Sequence, residues 1–146
     1  MDAGPNVHSE NMILLVDEDP RIGAVLRHFF NPFFAGEKCG MVQAATVPEA
    51  LAHLEREKVD LIITDLRLAG YSGLSLLARV RTKFPALPVI VMSAYTNFMA
   101  EEDWKLLGAV AFIPKPPELS RLHEVISLSL RRSKGAIQPQ SGTVGE

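Results

Sequence analysis

Five polar residues stand where apolar runs stop. Asp17 and Glu18 follow "MILLV", Asp65 follows "DLIIT", Ser93 follows "VIVM", and Lys115 follows "AVAFIP". Brought to one place, three carboxylates repel one another and call for a compensating charge. A hard divalent cation answers that need, and Mg2+ commonly takes a couple of carboxylates together with waters and a phosphate. A hydroxyl and an ammonium facing such a cluster suit a phosphoryl group attached to one of the acids. The chemistry implied is Mg2+-dependent formation of an aspartyl phosphate. Asp65 is the isolated acid and the better nucleophile; Asp17 and Glu18 would serve the metal. Alone, a strand-end acid is commonly a turn residue, and Asp19-Pro20 would cap a helix. The case rests on the set.

The elements that would position these residues alternate along the chain. Strands are expected at 12–16, 41–45, 59–64, 88–94 and 109–113, the first being a short continuous apolar run of the kind buried on both faces. Between them, Ile22, Val25, Leu26, Phe29 and Phe30 recur at helical spacing, and Asn31-Pro32 with Gly36 end that pattern. "TVPEALAHLEREK" opens with a capping box of Thr46 and Glu49. Further helices are expected from about Ser72 or Gly73 to Lys83, around 98–107 with Gly108 as its end, and from Leu119 to Arg131-Arg132. Five βα units in regular alternation imply an α/β fold: a doubly wound, five-stranded parallel sheet with helices on both faces. In the order 2-1-3-4-5 the first and third strands are neighbours. All five polar residues then fall at the carboxyl edge, where such sheets bind ligands.

Bulk properties narrow the classes. The 146 residues suffice for one domain, expected over 11–132, with 1–10 as a disordered segment and 133–146 as a flexible tail or linker. At 47% hydrophobic, 22% charged and net charge -2, nothing favours nucleic acid or membrane as a direct ligand. The single Cys39 excludes an intrachain disulfide and fits a reducing compartment. The N-terminus lacks the basic and apolar regions of a signal peptide, and no apolar stretch approaches the roughly 20 residues that span a bilayer. A cytoplasmic location is expected.

Over residues 11–132 the sequence resembles the receiver domain of two-component response regulators. The likeness is carried by "ILLVDEDP", "DLIITDLRLAGYSGLSLL", "PVIVMSAY" and "LGAVAFIPKP" in that order. The resemblance implies that Asp65 is the phosphoacceptor, that Glu18 holds Mg2+ directly and Asp17 mainly through water, and that the Arg67 carbonyl is a further ligand. It implies that Ser93 bonds the phosphoryl group, that Phe112 is the aromatic that swings inward behind it, and that Lys115 contacts the phosphoryl group and precedes a cis Pro116. A histidine kinase or phosphotransfer protein would be the donor. The surface of the fourth helix, fifth strand and fifth helix, with Trp104, Lys105 and Arg121, would change on phosphorylation and could mediate dimerisation. Such a domain is not an enzyme in the usual sense, since it catalyses its own phosphotransfer and dephosphorylation.

Three departures individualise the chain. Ala69-Gly70, in the turn expected after Asp65, stands where the family often has Pro-Gly. Arg67 and Tyr95 occupy positions that could shield the acyl phosphate and slow its hydrolysis. The segment "FFNPFFAGEKCGM" is a few residues longer than usual and holds four phenylalanines. Three rivals are weaker. A haloacid-dehalogenase-type phosphatase wants an Asp where Arg67 stands, and a flavodoxin-like FMN carrier wants Gly, Ser and Thr where "DEDP" stands. A degenerate receiver acting as a constitutive binding module is opposed by the intact acids, Ser and Lys. The chain reads either as a stand-alone receiver or as the receiver piece of a longer protein.

Overall fold

The apolar runs become strands buried on both faces, and the amphipathic segments become the helices that cover them. The computed structural model describes residues 11–29, 39–68, 71–94, 105 and 108–137, without the side chains of 67, 68, 71–74 and 132–137. Along the chain these form β1 (Asn11–Val16), α1 (Pro20–Phe29), β2 (Cys39–Ala44), α2 (Val47–Arg56), β3 (Leu61–Asp65), β4 (Arg67–Leu68), β5 (Tyr71–Ser72), α3 (Gly73–Lys83), β6 (Val89–Ser93), β7 (Ala111–Pro114) and α4 (Leu119–Ile137). The main sheet has the order β2-β1-β3-β6-β7 and is parallel throughout. Counting its strands alone, that is the expected 2-1-3-4-5.

Alternation along each strand splits the core in two. Leu14, Val16, Ile62, Val89 and Val91 face α2 and α3, packing with Ala50, Leu54, Leu76, Leu77 and Val80. Ile13, Leu15, Leu61, Ile63, Ile90 and Met92 face the other way, onto Leu26 of α1 and Leu122, Ile126 and Leu130 of α4. Each fully buried Leu or Ile contributes roughly 1.5–3 kcal/mol, so neither helix layer is dispensable. The winding reverses between β1 and β3, which places the ligand edge at their carboxyl ends.

Local signals set the helix starts. Asp19 caps α1, its Oδ1 accepting the Arg21 N–H at 2.9 Å, with Pro20 at the first helical position. Thr46 caps α2 by accepting the Glu49 N–H at 3.2 Å. Glu49 reaches back, as expected of a capping box, but takes the Ala45 N–H at 2.6 Å, one residue before the cap. Arg81 closes the end of α3, donating to the Pro85 carbonyl at 2.9 Å and to the Leu87 carbonyl. Burial lowers its guanidinium pKa below the ordinary arginine value.

Two expectations are corrected. The last helix does not close at Arg131-Arg132 but runs on to Ile137, so the first five residues of the presumed tail are helical. The stretch after Asp65 is not a plain turn: β4 and β5 pair antiparallel, Arg67 with Ser72 and Leu68 with Tyr71. The helix expected around 98–107 lies outside the described residues apart from Lys105. Gly108 has φ 95°, the left-handed conformation of a helix-ending glycine, and its N–H bonds the Lys105 carbonyl at 3.0 Å. Phe30, Phe33 and Phe34 also lie outside, whereas Phe29 is 43% exposed. Cys39 is buried and is not in a disulfide. Among the described residues no helix is long and apolar enough to cross a membrane.

Candidate functional site

Register brings the strand ends level. Val16 pairs with Thr64, Asp65 with Met92, and Ser93 with Pro114. Asp17 and Lys115 are therefore the first residues past β1 and β7, beside the ends of β3 and β6. The Asp17 N–H bonds the Ala44 carbonyl at 2.9 Å, which holds the chain on the sheet for one residue more. The Lys115 N–H does the same on the Ser93 carbonyl at 2.8 Å.

One ammonium spans two acids. Lys115 Nζ donates to Asp17 Oδ2 at 2.6 Å and to Asp65 Oδ2 at 2.7 Å. The side chains are little exposed: 3% for Asp17, 16% for Asp65 and 17% for Lys115. Two unit charges about 5 Å apart repel by roughly 3 kcal/mol at an effective dielectric constant near 20, so the carboxylates need this cation. Burial works against the lysine's charge, but the hydrogen bonds to Asp17 and Asp65 and the charges of those acids together outweigh it. The Lys115 pKa is raised above the ordinary 10.5. Asp17 uses its other oxygen, Oδ1, to accept the Asp19 N–H at 2.9 Å, which curls the loop after β1.

The donor set fits a hard cation. Among the described residues no group of three or more His, Cys, Asp or Glu side chains is arranged around a metal position. Mg2+ does not require one, because it is held by one or two carboxylates with waters and phosphate oxygens completing the octahedron. Asp17 and Asp65 converge as such a pair on the Lys115 ammonium, and Glu18, the residue after Asp17, is exposed.

The other residues singled out in the sequence are distributed as follows. Ser93 ends β6 with 0% exposure. Phe112, in β7, packs half-buried against the core layer of α2 and α3. The Lys115-Pro116 peptide is cis. Arg67 lies in β4, two residues past Asp65, and its side chain is outside the described residues, as are Tyr95 and Trp104. Lys105 and Arg121 are exposed.

Sequence reasoning missed Gln43. From the end of β2 its Nε2 donates to the carbonyls of Asp17 and Asp19, each at 3.0 Å. A signal was present in Gly23, a glycine in the middle of an amphipathic helix where it weakens the element.

The model of the response regulator receiver domain family matches residues 13–127. The chain belongs to this family. Among curated relatives, transcriptional regulatory protein GlrR of Escherichia coli (strain K12) is 32% identical over 129 residues, 88% of this chain and 28% of that protein. The receiver thus spans little more than a quarter of that relative's length. A CheY-like response regulator receiver domain protein from Methanospirillum hungatei JF-1 superposes with a TM-score of 0.74 at 28% identity, covering 86% of this chain and 98% of that one. Response regulator protein TrrA from Thermotoga maritima, solved in complex with Mg(2+)-BeF, superposes with a TM-score of 0.71 at 26% identity, covering 82% and 99%. The chain is a receiver domain of the two-component response regulator class.

Proposed function

We propose that this receiver is a phosphorylation-controlled switch that accepts a phosphoryl group on Asp65 from a histidine kinase or phosphotransfer protein, in the cytoplasm and with Mg2+. The observation that carries this reading is the Lys115 ammonium shared between Asp17 and Asp65 at a little-exposed rim. In the transfer, an Asp65 carboxylate oxygen bonds phosphorus as the P–N bond to the donor imidazole breaks. The imidazole keeps the electron pair and takes a proton from solvent. Lys115 already touches the acceptor and so is placed to follow charge onto the transferring oxygens. Mg2+, held by Asp17, Glu18 and Asp65 with the Arg67 carbonyl, would neutralise charge developing on the phosphoryl group.

The product puts new charge and acceptor oxygens beside β6. Ser93 would bond one of them, and Phe112 would fill the space it leaves, shifting a two-state surface that includes β7 and α4. That surface, where Lys105 and Arg121 stand exposed, is the proposed site of a phosphorylation-dependent homodimer or partner contact. Arg67 and Tyr95 are proposed to slow hydrolysis of the acyl phosphate; a half-life of seconds with Mg2+ present would overturn that point.

Incubation with a small phosphodonor and Mg2+, followed by intact mass, tests the assignment. One added phosphoryl group on the wild type and none on Asp65→Asn is expected. The same added mass on both proteins refutes the site. Sedimentation of the two treated proteins then shows whether association follows phosphorylation.

A further inference from the structure

Gln43 is joined to the acid loop by geometry that the phosphotransfer reading does not use. Its Nε2 carries two N–H donors, and both are spent, one on the Asp17 carbonyl and one on the Asp19 carbonyl, at 3.0 Å each. Those two carbonyls flank Glu18, so the carboxamide ties the loop on either side of the exposed acid. The orientation of the amide is fixed by chemistry: a carbonyl oxygen turned toward two carbonyls would have nothing to accept.

Turned that way, the Gln43 oxygen lies against α1 at Gly23. A Cβ at position 23 would overlap Gln43 Oε1 and stand 3.2 Å from its Cδ. The far end of a glutamine can move, so an alanine there would be accommodated by pushing the carboxamide off the loop. This accounts for a glycine at a mid-helix position that otherwise disfavours it.

We propose that Gln43 is a positioning residue for the cation pocket, a clamp that holds the Asp17–Asp19 loop in its metal-binding shape, and that Gly23 is the space that admits it. The proposal rests on the reading of Asp17 and Glu18 as Mg2+ ligands. Outer partners that orient ligands typically change metal affinity about 10–100-fold when removed.

Two measurements test it. In metal-free protein, amide hydrogen exchange at Asp19 is expected to rise about tenfold in Gln43→Ala, in the shape-preserving Gln43→Met, and in Gly23→Ala. Calorimetric titration with MgCl2 is expected to show about tenfold weaker binding in the same three variants, with Asp60→Ala as an unaffected control. Gly23→Ala placed on Gln43→Ala should add nothing, because the Cβ then meets Leu15 Cδ2 at 3.6 Å, an ordinary van der Waals contact. Wild-type exchange and wild-type Mg2+ affinity in Gln43→Met overturn the clamp. Additive effects in the double variant overturn the role of Gly23. A wild type that binds no Mg2+ counts against the functional reading instead, and the exchange result still decides whether Gln43 orders the loop.

Discussion

Asp60 and Asp65 bracket the same strand, one on each side of "LIIT", and their surroundings could hardly differ more. Asp60 enters β3. Its N–H bonds the Met12 carbonyl at 2.8 Å and its Oδ2 accepts the Met12 N–H at 2.8 Å. Both partners are backbone groups of the neighbouring strand, so this acid staples β1 to β3. Asp65 leaves β3. Its Oδ2 is held by an ammonium 50 residues further along the chain, shared with a second, nearly buried carboxylate. An acid satisfied by backbone serves the sheet; an acid held beside another acid at low exposure retains a need that a ligand can meet. Position at the carboxyl edge separates the two, and nothing in their immediate sequence does.

The sharpest way to break the comparison is to remove each acid in turn. Asp65→Asn should abolish phosphoryl incorporation, whereas Asp60→Ala should leave it at the wild-type level and cost about 1–2 kcal/mol in urea denaturation. Incorporation lost in both variants would mean that the strand rather than the acid matters. Next in size is Lys115→Met. Without its ammonium, Asp17 and Asp65 face one another at low exposure, a loss of about 2–4 kcal/mol in metal-free protein. Added Mg2+ should recover more stability in this variant than in the wild type; equal shifts in denaturation midpoint would contradict a shared cation position.

A smaller effect concerns pH. The folded Lys115 pKa is raised above 10.5, so the stability it contributes is fully present below that value and is lost as pH rises through the folded pKa. Wild type and Lys115→Met should therefore show parallel stability curves across neutral pH and converge as pH rises through the folded Lys115 pKa. The smallest expected effect is at Asp19, whose pKa is lowered by its side-chain and backbone hydrogen bonds from Arg21. Its capping contribution should persist above the ordinary 3.8 and fade as pH falls through the lower folded value, visible as acid fraying of α1 by NMR.

What could be read from the sequence follows from the same geometry. In a parallel sheet, the end of an apolar run fixes both the strand and the edge to which its next residue belongs. Asp17, Asp65, Ser93 and Lys115 could thus be placed together without knowing a single distance. Gln43 could not, because its contacts run from a side chain in β2 across to a loop 24 residues earlier, and no periodicity records that reach. The β4–β5 pairing escaped because two-residue strands carry no alternation. The last turns of α4 escaped because "SKGAI" has the composition of a linker and lacks an apolar stripe.

Lys115 has one more consequence. Its backbone N–H is on Ser93 of β6, its own chain continues from β7, and its ammonium is on Asp17, just past β1, and on Asp65, which ends β3. Four of the five main strands therefore meet in one amino acid. An event at Asp65 that draws the ammonium away from Asp17 would be felt at β7 through covalent bonds and at β6 through one backbone hydrogen bond. The message would need no relay of packed neighbours, and its first step could be as fast as a rotamer change.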